Sequence, residues 1–510
     1  MKYLVTADEM RRYDGNTIEN TGIPACVLME RAALGALEAI EKHFKESMGE
    51  PEGAGRAKKS VLIMAGTGNN GGDGLALARL LAERRYDVEV WCVGKREKAS
   101  AQWRQQEGIL RHYPVRMSGE PLRGSYDALA DALFGVGLSR EITGEFARAI
   151  EQYNDMEGFK LALDLPSGID SDTGEVLGVA ARADATVTFG FCKRGLALYP
   201  GCGYAGAVTV ADIGISEISF RGVKPGMYAY DERAGELLPK RRSDGNKGTF
   251  GKVLLVAGSV NMAGAAVLAA RAAYRTGAGM VKVVTPEQNR TILQAAVPEA
   301  LLETGEELAE SLNGWADVVA AGPGLGRDER ALRLLRQVVE GCELPLVADA
   351  DGLNLLAENP GLWEVLARQG KEGRKIILTP HVGELSRLTG MPVDVLKRNL
   401  PKYGQELAGR IHGAVAAKDA RTFTCGENTP VCINLTGNNG MATAGSGDVL
   451  AGMIAGLLGQ GMNAFEAASV GVYLHGLAGD AVSRELGEHA CTAGDIVEAL
   501  CGITGERSGK

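Results

Sequence analysis

The chain has 510 residues, 45% of them apolar and 23% charged, which suits a soluble globular protein and is too long for one hydrophobic core. A net charge of −9 and an aromatic content of 5% argue against a nucleic-acid partner, because acids outnumber bases and few rings are there to stack on bases. The opening MKYLVTADEM carries early acids and no apolar h-region, and no apolar run approaches the roughly 20 residues of a membrane span, so neither a signal peptide nor a membrane partner is expected.

The nine cysteines, at 26, 92, 192, 202, 342, 425, 432, 491 and 501, form no C-x-x-C pair and no zinc spacing with His. They read as reduced thiols in a cytoplasmic protein. Seventy glycines without a fixed period predict many tight turns and close backbone approaches to ligands.

In chain order, Met29, Ala32, Ala33, Gly35, Ala36 and Ile40 recur at helical spacing and predict a helix packed on a sheet or on a partner subunit. VLIMA (61–65) reads as a buried strand, Leu75 to Arg85 as a helix and VEVWCV (88–93) as a strand. Between the first two lies AGTGNNGGDG (65–74). It matches the dinucleotide fingerprint at Gly66, Gly68 and Gly71, with Glu89 about 20 residues on, where such folds keep a ribose-binding acid. Asp73 speaks against that reading: at the helix start it would set a carboxylate against a bound pyrophosphate. Its plain role is a helix N-cap.

KLALD (160–164) and ATVTF (185–189) are further strands, and alternation of short strands with helices predicts a parallel sheet covered on both faces. DALFGVGLSRE (131–141) and ALDLPSGIDSDTGE (162–175) are loops after strands, and loops at the carboxyl ends of a parallel sheet converge on one crevice. There Asn70, Asp131 and Ser167 would offer three hard oxygen ligands to a cation, and Asp164 a carboxylate for proton transfer. Taken singly, Asp131 and Asp164 are also ordinary turn residues that bond their own backbone.

AGTGNNGGDGLALARLL, DALFGVGL, LDLPSGIDSDTGE and TFGFCKRGLALYPG (188–201), in that order, resemble the N-terminal domain of the YjeF family over roughly residues 1–218. The resemblance implies a Rossmann-like three-layer αβα sandwich that epimerises hydrated NAD(P)H, called NAD(P)HX. It implies a K⁺ ion held by Asn70, Asp131 and Ser167, with Asp164 at the reacting carbon. Substrate contacts would come from Asn69, Asn70, Gly71, Gly72 and Asp73, and from Gly135, Val136, Gly137, Leu138, Ser139, Arg140 and Glu141. A homo-oligomer is implied as well.

Residues 221–245 lapse into Pro, Gly and mixed charge and read as a linker between domains 1–220 and 246–505. Alternation then restarts with strands KVLLVAG (252–258), MVKVVT (280–285), DVVAAG (317–322), PLVADA (345–350), KIILTP (375–380), AVAAK (414–418) and VCINL. GNNG returns at 437–440, but in other surroundings, so the two copies are different sites that share a turn and not a duplication. In GSGDVLAGMIAGLL (445–458) the amides of 445 to 447 would form an anion hole ahead of a helix starting near Asp448. Asp448 could accept a hydroxyl proton while a phosphoryl group arrives, or simply cap the helix. LTPHVGELSRLTG (378–390) places His381 and Glu384 after a strand, where the His is a cap, a core residue or a ligand contact.

The GSGD turn resembles the ribokinase-like superfamily. More closely, NKGTFGKVLLVAGS (246–259), MAGAAVLAARAAYRTGAGMVKV (262–283), AGPGLG (321–326), DADGLN (349–354), TPHVGEL (379–385) and NLTGNNGMATAGSGDVLAGMIAG (434–456) resemble the ADP-dependent NAD(P)H-hydrate dehydratases. The resemblance implies a second αβα sandwich. Ala265, Gly324, Gly326, His381 and Asp448 would contact the hydrate, while Lys418, Asp419, Ala420, Arg421, Thr422, Gly445, Ser446 and Gly447 would hold the nucleotide. ADP would donate the phosphoryl group with Mg²⁺ on its phosphates. Asn246 departs from the family's usual His at that position. Three rivals make different predictions: a dehydrogenase built on Gly66, Gly68, Gly71 and Glu89, a non-catalytic nucleotide-binding scaffold, and a vitamin or sugar kinase in the C-terminal half.

Overall fold

Short apolar runs bounded by glycine turns become parallel strands here because helices bury them on both faces. The computed structural model describes residues 1–48 and 58–504, and the chain divides into two compact units, Lys2–Gly226 and Met227 onward. In the first unit β1 (Lys2–Val5) pairs in parallel with β8 (Cys192–Lys193). The main sheet holds β2 (Ser60–Ala65), β3 (Asp87–Cys92), β4 (Arg116–Ser118), β5 (Ser125–Ala132), β6 (Glu157–Leu163), β7 (Ala185–Phe189) and β9 (Ala207–Ala211). Its order is β4-β3-β2-β5-β6-β7-β9, with every pair parallel.

Alternation along β2 shows the three layers. Val61, Ile63 and Ala65 pack with α2 (Ala25–Met48), α3 (Asn69–Glu83) and α4 (Ala101–Leu110), while Leu62 and Met64 pack with α5 (Glu145–Asp155) on the other face. α1 (Ala7–Asn16) precedes them. The apolar stripe of α2 is buried on the unit's own sheet: a Cβ at Gly35 would lie 2.8 Å from the Ala211 Cβ. The sheet, one of the two neighbours expected for this stripe, therefore covers it.

The second unit contains β10 (Met227–Ala229), β11 (Lys252–Val256), β12 (Met280–Val284), β13 (Leu301–Glu303), β14 (Val318–Ala321), β15 (Leu346–Ala348), β16 (Ile376–Leu378), β17 (Ala414–Ala417), β18 (Phe423–Gly426) and β19 (Val431–Ile433). They order as β13-β12-β11-β14-β15-β16-β17-β18-β19-β10. The ladder is parallel from β13 to β17, antiparallel through β18 and β19, and parallel again to β10. α6 (Ala263–Arg275) lies against the helix Ser446–Gly459.

Two expectations need correction. The segment 221–245 is not connecting chain throughout. Met227–Ala229 is a strand paired with β19, its inward Met227 and Ala229 buried, and the Pro, Gly and charged residues around it hide a strand of three residues. α3 begins at Asn69, six residues before the expected start, so only residues 66–68 of the glycine-rich run are loop and the rest is helix. The nine cysteines are free, three of them buried. Among the described residues no helix is long and apolar enough to cross a membrane.

Candidate active sites

The first site forms where β2, β5 and β6 end and α3 begins. The chain closes tightly there: a Cβ at Gly71 would overlap the Gly66 carbonyl oxygen, so only glycine admits this backbone approach. Gly68 is the N-cap of α3 and makes no side-chain capping bond; Asp73 is the helix's fifth residue and lines a cavity of about 550 Å³. The capping role expected of Asp73 is thus not the one it has. Glu89 is buried, and its carboxylate accepts from the Leu122 amide at 2.8 Å, the Tyr126 hydroxyl at 2.8 Å and the Ser118 hydroxyl at 3.3 Å. At 1% exposure this acid bonds its own unit and is closed to a ribose, which speaks against the dehydrogenase reading.

Asp164 lies on the cavity wall and has a φ of +69°, a left-handed backbone that costs a non-glycine residue about 1–3 kcal/mol. Its amide donates to the Val187 carbonyl at 2.8 Å, which ties this turn to β7. Its Oδ1 accepts from Lys193 Nζ, from the Thr188 hydroxyl at 3.3 Å and from the Phe189 amide at 3.3 Å. Asp14, on α1, also lines the cavity. Burial, and then the like charges of Asp164 and Asp14, push Asp73 well above the usual carboxylate range. Burial also raises Asp14, with Lys193 opposing and Asp164 reinforcing.

Asp131 and Ser167 meet in the buried wall: Ser167 donates its hydroxyl to Asp131 Oδ1 at 2.7 Å and its amide to Oδ2 at 2.7 Å. The Leu133 amide adds a third bond, at 3.1 Å, so the hydrogen-bond donors to this carboxylate are all neutral. Burial outweighs them and pushes Asp131 up to about 6. Asn70 donates Nδ2 to the Leu163 carbonyl at 3.2 Å, and its buried Oδ1 has no hydrogen-bond partner. An orphaned amide oxygen and a buried carboxylate fed only by neutral donors have the hard-oxygen chemistry that a cation takes.

Of the expected contacts, Asn69, Asn70, Asp73, Gly135, Val136, Gly137, Leu138 and Asp164 line the cavity. Gly71 and Gly72 are buried behind it, and Ser139, Arg140 and Glu141 are exposed outside its lining. Sequence reasoning missed Asp14 and Lys193. Lys193 stood inside TFGFCKRG beside Arg194, and Asp14 sits on a polar helix; neither pattern set its charge apart.

The second site is at the Ser446–Gly459 helix. Gly445, with φ +91°, is its N-cap, so Asp448 is the third helical residue and does not cap it. Burial, reinforced by Asp349 and opposed by Lys418, pushes Asp448 up to about 6. Lys418 Nζ donates to Asp349 Oδ1 at 2.8 Å, and the Thr379 hydroxyl donates to the same oxygen at 2.7 Å. A Cβ at Gly447 would sit 3.4 Å from that ammonium and 3.7 Å from Asp349 Oδ2, so the first turn of the helix faces the pair closely. Burial pulls the Lys418 ammonium down, but Asp349 and Glu384 outweigh it and the net direction is up.

His381 caps the helix Val382–Thr389: its Nδ1 accepts from the Gly383 amide at 3.0 Å, and Glu384 accepts from the His381 amide at 2.9 Å. Its side chain is still 54% exposed, and burial together with Lys418 and Arg387 lowers its pKa. The Gly326 amide donates to Asp351 at 2.9 Å, and a Cβ at Gly324 would lie 2.8 Å from the Ala265 Cβ. Asp419 and Ala420 are exposed, and Arg421 and Thr422 half-buried. The Ser446 hydroxyl lies 3.3 Å from Nε2 of the buried His475, which burial lowers to about 4. Asp349 was inside the quoted DADGLN but was not singled out.

A family model described as NAD(P)H-hydrate dehydratase matches residues 253–501, and one described as YjeF-related protein N-terminus matches residues 25–195. The bifunctional NAD(P)H-hydrate repair enzyme Nnr of Moorella thermoacetica is 37% identical, covering 98% of this chain and 96% of that protein. The protein of the same name from Coxiella burnetii is 36% identical, covering 98% and 99%. Among solved structures, the ADP/ATP-dependent NAD(P)H-hydrate dehydratase from Bacillus subtilis, co-crystallised with ATP/Mg²⁺, is 31% identical with a TM-score of 0.47, covering 53% of this chain and 95% of that one. The 37% and 36% identity to those two repair enzymes, over 98% of the chain, makes it a member of the family of bifunctional NAD(P)H-hydrate repair enzymes.

Proposed function

We propose that the first unit interconverts the R and S epimers of NAD(P)HX and that the second dehydrates the S epimer, consuming ADP and releasing NAD(P)H, AMP and phosphate. The observation that carries this reading is that each unit holds its own carboxylate at the mouth of a glycine turn: Asp164 on a cavity wall, and Asp448 in the first turn of a helix beside a half-buried lysine. A two-step repair uses both. In the first unit Asp164 moves the proton, and residues 69–73 and 135–141 hold the substrate. Asn70, Asp131 and Ser167 would hold K⁺, whose charge would offset that of Asp131.

In the second unit Asp448 takes the proton of the ring hydroxyl as that oxygen attacks the terminal phosphorus of ADP, and phosphate then leaves to restore the dihydropyridine. The work is mostly positioning and charge stabilisation. Ala265, Gly324, Gly326 and His381 contact the hydrate. Residues 418–422 and 445–447 hold the nucleotide, whose phosphates carry Mg²⁺. A homo-oligomer in the cytoplasm, where the nine thiols stay reduced, completes the reading.

The test follows reduced-nicotinamide absorbance in a mixture of both NADHX epimers with ADP, Mg²⁺ and K⁺. Wild-type protein converts the whole mixture, Asp164→Asn stops at the S share, and Asp448→Asn converts nothing. No rise in absorbance with either ADP or ATP would sink the dehydratase assignment.

A further inference from the structure

We infer that Lys193 is a positioning residue of the first site: it commits Oδ1 of Asp164 to the protein and leaves Oδ2 as the atom that exchanges a proton with substrate. The inference rests on the reading of this unit as an epimerase. Lys193 is 1% exposed, and burying an ammonium is tolerated only when its hydrogens are all matched. They are matched here. Nζ donates to Asp164 Oδ1, to the Thr188 hydroxyl at 3.1 Å and to the Phe189 carbonyl at 2.8 Å. The lysine therefore has no donor left for a ligand.

The two oxygens of Asp164 differ. Oδ1 accepts from Lys193, Thr188 and Phe189. Oδ2 takes no hydrogen bond from the described residues and lies toward Gly135 on the cavity wall, where an added Cβ would stand 3.2 Å from it. The positive φ at 164 turns the carboxylate into this position, and the lysine, anchored on β8 and by β7, holds it there. The charged and titratable groups facing Asp164 are Lys193 and the Cys192 thiol from β8, Asp73 from α3 and Asp14 from α1. Arg11 also lines the cavity, but among the described residues Lys193 is the cation bonded to Asp164. Without it, Asp164 would share the cavity with Asp14 and Asp73 and no bonded cation, and like charges resist simultaneous ionisation.

In the step itself, an O–H bond of the substrate hydroxyl or of the returning water breaks, the pair stays on that oxygen, and the proton bonds to Asp164 Oδ2. Lys193 takes no part in this transfer, its three donors being engaged by Asp164, Thr188 and Phe189.

The experiment compares full-length wild type with Lys193→Met and Lys193→Gln, measuring epimerisation against pH and, separately, ADP-dependent dehydration of the S epimer as a control in the same chain. Both variants are expected to lose about tenfold or more in epimerase kcat, with KM within roughly twofold, because the lysine orients a proton carrier without binding substrate. The rising limb of the pH profile should move to higher pH, since a neutral residue no longer favours the ionised carboxylate. Lys193→Gln, which keeps a donor to Oδ1, should retain more activity than Lys193→Met. A pH profile that is merely scaled down overturns the inference, as does a wild-type rate or failure of both variants to fold. A wild type that never converts the R epimer defeats the epimerase reading itself, a result separable from these by the unmutated control.

Discussion

At the residue scale, Asp131 and Asp448 carry the clearest consequences. Asp131 is held at about 6 against an ordinary 3.8, so the folded chain keeps a proton that the unfolded chain releases. Its effect is therefore a loss of stability as pH rises from about 4 to about 6, amounting to about 3 kcal/mol above that range. A cation against the carboxylate offsets that loss. Thermal melts should show K⁺ raising the midpoint more at pH 7.5 than at pH 5, with no response in Asp131→Asn; equal responses at both pH values would count against a cation there. Asp448, at about 6, must be ionised to act as a base. The kcat/KM for dehydration should fall tenfold per pH unit below about 6, and a profile flat down to pH 4.5 would exclude Asp448 as the base. Gly135→Ala would set a methyl 3.2 Å from Asp164 Oδ2 and 3.4 Å from the Asn70 Cβ, so it should depress epimerisation about tenfold or more and leave dehydration unchanged.

At the element scale, the second site hangs on one helix contact. The Ser446–Gly459 helix crosses α6 so closely that a Cβ at Gly452 would overlap the Ala269 carbonyl, and one at Gly456 would lie 2.8 Å from the Ala273 carbonyl. In an open helix, Gly→Ala stabilises by up to about 1 kcal/mol. Here overpacking of about 1–3 kcal/mol opposes and exceeds that gain, because the obstruction is backbone and cannot rotate away. Gly452→Ala should lower the melting temperature and reduce dehydration, with epimerisation kept; a raised melting temperature would show that the two helices separate freely. The first glycine turn is held for the same reason, since backbone lies where a side chain at Gly66 or Gly71 would go.

At the scale of the whole molecule, the two carboxylate sites belong to separate compact units, Asp164 in Lys2–Gly226 and Asp448 in the unit from Met227 onward. A soluble intermediate that leaves one site can reach the other on a different chain. Mixing full-length Asp164→Asn with full-length Asp448→Asn should therefore restore complete conversion of an epimer mixture. Conversion that stays at the S share in the mixture would mean that both sites must be intact in one chain.

The sequence by itself determined the elements whose signal is local. The apolar runs of β2, β3, β7, β11 and β14 to β17 stand out because each strand is buried on both faces, and the glycine turns because Gly71 meets backbone and Gly445 takes a positive φ. The coming together of Asn70, Asp131, Ser167 and Asp164 was legible from loop position alone, since parallel strands deliver their loops to one edge. Tertiary structure decided what depends on partners far along the chain. Glu89 became a buried acceptor for residues 29 to 37 positions away, a pairing no local pattern encodes. Met227–Ala229 became a strand because β19, some 200 residues later, lies beside it. Lys193 and Asp14 joined the first site because β8 and α1 border one cavity, and Asp349 joined the second because β15 ends where Lys418 passes. A lone charge in a sequence has no sign of its role until the fold supplies the opposite charge and removes the water.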